Sequence, residues 1–231
     1  ITHTAIFPAF AAAFGADWVT RRWGIVHETF AVGALPALGP ENLLWCVLAG
    51  IAFGACAALF CVLLKKISLV MARIIPFAPL RPVAGGIIVV LAVAALGTTR
   101  WIGLGSPVIA EAFTGRVLPW DFALKILFTV VTLGSGFRGG EVTPLFFIGA
   151  TLGNVLAWIL PLPSPLLAAM GFTAVFAGAS NTPLACFVLG MELFGSAAGP
   201  YIALACAVSY LVTGPAGLYS AQRAGSPKLV P

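Results

Sequence analysis

Residues 134–160 read GSGFRGGEVTPLFFIGATLGNVLAWIL, a glycine-rich break followed by an apolar helix that runs to about Leu160 and stops at Pro161. Thr143 is a good N-cap, since its hydroxyl can accept a bond from a free backbone N–H. Pro144 then fits the first helical position, where a missing N–H costs nothing. The start of such a helix carries partial positive charge and unpaired N–H donors. Glycines at 134, 136, 139 and 140 let the preceding backbone turn and approach a small ligand closely. In a membrane, a helix opening at a glycine-rich break is a means of holding an anion at mid-depth. Arg138 and Glu141 flank the break. One reading pairs them as an i,i+3 ion pair on a wet loop. The other has Arg138 attract an anion while Glu141 takes part in transport, because ionisable groups inside membranes are costly and functional.

The rest of the chain has the composition of a membrane protein. Of 231 residues, 61% are hydrophobic and 8% charged, and the mean hydropathy is +1.08. A soluble domain carries roughly 25% charged residues. The apolar runs are long and do not alternate, so the fold class is all-α integral membrane. The chain opens on Ile1 inside an apolar segment, and this predicts a portion of a longer protein, with 1–231 forming a single membrane domain. The net charge of +5 is modest. Lys65, Lys66, Arg73 and Arg81 are expected to share one connection, cytoplasmic by the positive-inside rule. No basic stripe with interleaved aromatics points to nucleic acid.

Along the chain, residues 6–19 form a first apolar segment closed by Arg21 and Arg22. Residues 43–64 are long enough to span ~30 Å of hydrocarbon, with Lys65 and Lys66 at the water end. Gly50, Gly54 and Ala58 make a small-residue stripe on that helix, suited to close packing. Pro82 opens a helix to about Gly97. Ser106–Pro107 repeats the cap-plus-proline pattern and opens a short re-entrant or interfacial helix to about Phe113 that contains Glu111. Trp101 and Trp120 read as interfacial anchors. Asp121 caps a helix over 122–133 that contains Lys125. Ser164–Pro165, Thr182–Pro183 and Gly199–Pro200 open three more helices. Glu192 falls at the end of one of them, either as a second intramembrane acid or as a helix-end residue at the water boundary. The segments are short and broken, which predicts tilted, interrupted helices around an internal pathway.

Other chemistry finds little support. An intramembrane enzyme needs a nucleophile with its base, or a metal cluster. His3 and His27 have no motif partner, and the His27–Glu28 pair reads as a loop meeting water. The cysteines, Cys46, Cys56, Cys61, Cys186 and Cys206, all lie in apolar stretches with no metal-ligand spacing. They read as small buried residues. No cofactor or metal is expected.

The stretch GSGFRGGEVTPLFFIGATLGN (134–154) resembles the anion-site signature of the CLC chloride channel and transporter family. Most members have a glycine pair, two apolar residues and a small residue before a proline. Here Gly139 and Gly140 precede Glu141, Val142, Thr143 and Pro144. The Glu-Val-Thr version, with GFTAVFAGASNTPLACFVLGMELFG (171–195) and GPAGLYS (214–220), is similar to the fluoride-selective branch, the bacterial CLC-type fluoride/proton antiporters. The resemblance implies a CLC-type inverted-repeat transporter of the bacterial inner membrane, with this chain covering the second repeat. It implies that Thr143 contacts the anion, that Val142 offers its backbone N–H, that Tyr219 faces the ion, and that Glu141 couples protons and sets selectivity. It implies a homodimer through the first helix and the helices of 182–212. The family's gating glutamate and first-repeat anion loop do not occur in this sequence. The implied function is fluoride export by fluoride/proton antiport. The alternatives are a chloride or other halide channel or exchanger, and a truncated membrane fragment that does not transport.

Overall fold

The longest apolar run makes the longest helix. In the computed structural model, which describes residues 6–25, 30–215 and 217–219, α2 spans Pro40–Ile74, 35 residues. At 1.5 Å per residue this is about 52 Å, well beyond a hydrocarbon core of ~30 Å. Lys65 and Lys66 do not end it. They are exposed in its middle, because lysine is a good helix former and nothing interrupts the helix until Pro76. The residue before a proline is driven from the helical region, and Ile75 is accordingly extended (φ −118°, ψ 91°). Arg81 then donates to the carbonyls of Ile75 (2.8 Å) and Pro76 (3.1 Å), partnering carbonyls just past the helix end. Lys65, Lys66 and Arg73 therefore sit on a helix and not in a connection.

α1 (Ile6–Arg22) precedes this helix and presents Phe7, Phe10, Phe14 and Trp18 outward. α3 (Leu80–Leu96) starts two residues before Pro82 and ends on left-handed Gly97. α4 (Ser106–Thr114), α5 (Asp121–Gly134) and α6 (Val142–Leu156) follow. α7 (Ser164–Ser180), α8 (Pro183–Phe194) and α9 (Gly199–Thr213) complete the chain of helices. Among the described residues, two stretches are long and apolar enough to cross a membrane, Pro40–Ile74 and Ser196–Thr213. α5 and α6, at 14 and 15 residues, are only about 21–23 Å long and meet at the break.

α7 lies at the centre and is buried over almost its whole length. α6 packs on it with backbone touching backbone. A β-carbon on Gly149 would overlap the carbonyl of Gly171, and one on Gly153 the carbonyl of Leu167. The predicted stripe on α2 packs against α9, Gly50 beneath Val208 and Gly54 beneath Val212 and Ser209. Ala57, not Ala58, continues that contact, against Gly178 of α7. Small residues let helix backbones close up where no hydrophobic driving force separates protein from lipid. Hydroxyls add bonds between helices: Ser209 donates to the Ala174 carbonyl (2.7 Å) and Thr213 to that of Gly54 (3.2 Å). All five cysteines are buried and form no disulfide among the described residues.

The short helix α4 is held over its C-terminal half from two sides. On one side, Asn154 of α6 donates to the carbonyls of Ala112 and Gly115 (both 2.8 Å), lies 2.9 Å from the Ser164 hydroxyl, and accepts from Val117 N–H (3.3 Å). On the other, a partly buried ionic cluster ties Glu111 and the α3–α4 connection to α5. Asp121, fully buried, accepts from Arg100, from the Trp101 indole (2.7 Å) and from Leu118 N–H (3.0 Å). Arg100 also reaches Glu111 of α4 at 2.7 Å. The bond to Asp121 first, and that to Glu111 after it, hold the guanidinium pKa above its ordinary value. Trp101 is thus a buried donor rather than an interfacial anchor, whereas Trp120 is half exposed. Asp121 opens α5 as its first residue, but its carboxylate serves the cluster and caps nothing.

Candidate anion-binding site

The break between α5 and α6 uses its glycines unequally. Gly134 is a packing residue, since a β-carbon there would meet Ile67 of α2 at 2.6 Å. Gly136 has φ 94° and turns the chain out of α5. Gly139 has only the tip of Leu133 near it and Gly140 faces open space. α6 begins two residues earlier than the sequence predicts, at Val142, with Glu141 as N-cap and no side-chain cap bond. The first helical bond runs from Leu145 N–H to the Glu141 carbonyl (3.1 Å). The N–H groups of Val142 and Thr143 lie ahead of the helical ladder. Pro144, third in the helix, still falls where no N–H is needed. Thr143 is released from capping, and among the described residues its hydroxyl has no hydrogen-bond partner.

Arg138 and Glu141 form no ion pair; Arg138 is exposed on the open stretch before the helix. Glu141 stands at the start of α6, and the charge of its carboxylate reaches Tyr219. Tyr219 lies beyond the last spanning helix, placed by two local contacts. Leu218 N–H donates to the Ala179 carbonyl (3.0 Å), and Gly217 sits where a β-carbon would meet the Asn181 amide at 2.5 Å. Asn181 is the left-handed C-cap of α7. The end of α7 thereby carries Tyr219 to the start of α6. Burial first, then a hydrogen bond to the Glu141 carboxylate and its charge, push the phenol pKa up.

Thr143 also opens onto a recess of about 140 Å³ lined by Phe30, Ser106, Ile109, Phe146 and Phe172. Phe146 and Phe172 are stacked, with centroids 4.0 Å apart and planes at 11°. Glu141, Val142 and Thr143 stand together at the start of α6, Arg138 is exposed on the stretch before it, and Ser106 adds a second hydroxyl to the recess. Ser106 carries the same Ser/Thr–Pro pattern as Thr143, a signal that sequence reading used only for helix position. Glu192 is exposed near the end of α8, away from any ion pair among the described residues. His3, His27, Glu28, Arg223 and Lys228 lie outside the described residues. No cluster of metal-ligating side chains occurs among the described residues.

This arrangement has a family to which it corresponds. The model of the voltage gated chloride channel family matches residues 1–214. The chain belongs to the CLC family. It is 48% identical over 232 residues to a "Chloride/fluoride channel protein" of Pseudomonas syringae pv. tomato, an alignment covering 98% of this chain and 51% of that relative. Among solved structures, a CLC-type fluoride/proton antiporter superposes with TM-score 0.91 at 34% identity, over 95% of this chain and 56% of the other. A slow cyanobacterial Cl⁻/H⁺ antiporter superposes with TM-score 0.68 at 19% identity, over 82% and 48%, a likeness of CLC fold alone. The chain spans about half the length of these relatives.

Proposed function

We propose that this chain is the second-repeat portion of a CLC protein that exports fluoride across the cell membrane in exchange for protons. The observation that carries the reading is the open start of α6, where the Val142 and Thr143 N–H groups lie ahead of the helical ladder beside Glu141, and the Thr143 hydroxyl has no hydrogen-bond partner among the described residues. Fluoride is small and strongly hydrated, so a site must replace its water with close donors. The Val142 and Thr143 N–H groups, the Thr143 hydroxyl and the Tyr219 phenol supply them. They are fixed dipoles rather than full charges, so the ion can still leave. Arg138, exposed at the entrance, raises the local anion concentration. When Glu141 is protonated, its carboxyl donates a hydrogen bond to fluoride. When it is ionised, it accepts from Tyr219 and repels the anion. Proton and fluoride movements are thereby linked at one side chain.

The whole protein works as a homodimer in the lipid bilayer, each subunit with its own pathway. The apolar side chains that α1 turns outward, together with Leu184 and Val188 of α8, all exposed, supply contact area for the partner subunit and for lipid. Chloride is the second reading of the same site, favoured by a relative whose name includes both anions. Anion efflux from liposomes containing the full-length protein, followed with fluoride and chloride electrodes side by side, separates the two. Fast fluoride loss with little chloride loss supports export of fluoride. Chloride loss at an equal or greater rate overturns it.

A further inference from the structure

The basic residues of α2 stand in a stretch without acids. No Asp or Glu occurs in the sequence between Glu41 and Glu111. Lys65, Lys66 and Arg73 are all exposed, and none of them makes an ion pair among the described residues. Arg21 of α1, by contrast, is paired with Asp17 at 2.9 Å. Arg81 is occupied by the Ile75 and Pro76 carbonyls. Three cations of α2 therefore lack a counter-charge.

These cations share a face with apolar side chains. Lys66 and Arg73 are about two helical turns apart, on one line about 10 Å long, with Leu69 and Val70 between them and Lys65 at the edge. Leu69 is 70% exposed and Val70 47%. The opposite side of the same turns is fixed, because Ile67 packs against Gly134 at the end of α5. Depth along the helix decides what can cover the outer face. Lys65 lies about 36 Å from Glu41, past a hydrocarbon core of ~30 Å, so the turns from Lys65 to Ile74 fall in the headgroup layer. Water would solvate the cations but leave Leu69 and Val70 wet. Acyl chains alone would cover Leu69 and Val70 but not tolerate the cations. A headgroup layer of negative charge satisfies both, as it does for basic amphipathic helices at membrane surfaces.

We propose that the outer face of α2 from Lys65 to Arg73 is a binding site for anionic phospholipids, with Lys66 and Arg73 donating to the headgroup phosphate and Leu69 and Val70 seated on the acyl chains. The site is independent of which anion the protein carries.

The test uses the full-length protein in uncharged detergent, titrated with phosphatidylglycerol or phosphatidylcholine while thermal unfolding is followed. Phosphatidylglycerol should raise the transition and phosphatidylcholine should not. Each basic residue near an anionic surface strengthens the attraction about fivefold. The phosphatidylglycerol concentration giving half the effect should therefore rise at least about tenfold when Lys66→Gln and Arg73→Gln are combined. Lys66→Arg with Arg73→Lys, which keeps both charges, should restore it. Arg21→Gln, which removes a charge that Asp17 already balances, should leave it within about twofold. The transition without lipid should be the same in all variants, so a lost response is not a lost fold. An equal response to the two lipids overturns the proposal. So does an unchanged half-effect concentration in the Gln pair, the result expected if another part of the full-length chain covers this face. A shift of equal size with inorganic phosphate overturns the lipid assignment.

Discussion

Gly149 of α6 and Gly171 of α7 face each other so closely that a β-carbon on either would overlap the carbonyl of the other. This contact sets the distance between α6, which starts at the candidate anion site, and α7, beyond whose end lies Tyr219. Gly149→Ala and Gly171→Ala are each expected to force the two backbones apart. Overpacking costs about 1–3 kcal/mol where side chains can yield, and here the obstructing atoms are backbone. Thermal unfolding of the full-length protein in detergent should show a lower transition for both variants. Gly140→Ala, which meets open space, serves as the control and should leave the transition in place.

Arg100→Ala leaves Asp121 fully buried with only the Trp101 indole and Leu118 N–H as donors. Breaking a buried ion pair from one side costs about 3–5 kcal/mol. Arg100→Lys keeps the charge but loses the fork that reaches Asp121 and Glu111 together, so it should recover only part of the loss. Denaturant midpoints in detergent measure both. Equal stability of Arg100→Ala and wild type would show that the cluster does not hold α4.

How much of this was legible follows from which interactions are local. Helix positions were readable because the Ser/Thr–Pro and Gly–Pro pairs mark starts within about two residues; α4, α7, α8 and α9 all begin there. The hydroxyl caps were not, because Pro near each start already removes a donor. None of these helices has a side-chain cap bond. Lys65 and Lys66 looked like a water boundary, yet only Pro76 ends α2, since charge does not break a helix and a proline does. The small-residue stripe of α2 was visible from its spacing, while the Gly149–Gly171 contact depends on which helix lies opposite. Glu141 was seen as the unusual residue of the break, but its neighbour in sequence, Arg138, is not its partner. Tyr219 feels its charge, and the docking of Leu218 on Ala179 places it beyond the end of α7. Asn154, Lys125 and Asp121 act mainly through partners far along the chain, such as Ala112, Trp101 and Arg100, and no period in the sequence points to them.

Tyr219 gives a prediction with a definite pH sign. Its phenol pKa lies above the ordinary 10.0, from burial first and the Glu141 carboxylate second. An acid whose pKa is raised by folding contributes stability that is complete below the unfolded value and lost as pH rises through the folded one. The phenol is therefore a constant donor across the working range. Tyr219→Phe should weaken fluoride binding by several-fold, and the ratio of wild-type to mutant affinity should be flat from about pH 6 to pH 9. Calorimetric titration with sodium fluoride at several pH values provides the check. A ratio that changes inside that window would mean that the phenol's donation to fluoride is switched by the protonation of Glu141 and is not constant.

Glu141→Gln separates hydrogen bonding from proton exchange. The amide keeps the size of the carboxyl and can donate to fluoride through its NH₂, and its carbonyl can accept from Tyr219. It cannot release a proton, and it never carries the charge that would repel the anion. Fluoride binding should therefore survive, within about tenfold of wild type, the scale of one altered hydrogen bond to an ion. Coupled proton movement should be lost. Liposomes loaded with fluoride and a pH-sensitive dye report both fluxes at once: in wild type, fluoride leaving should drive protons in, and in the variant fluoride should leave without them or not leave at all. Proton influx at the wild-type ratio in Glu141→Gln would remove Glu141 from the coupling step and leave it as the structural partner of Tyr219.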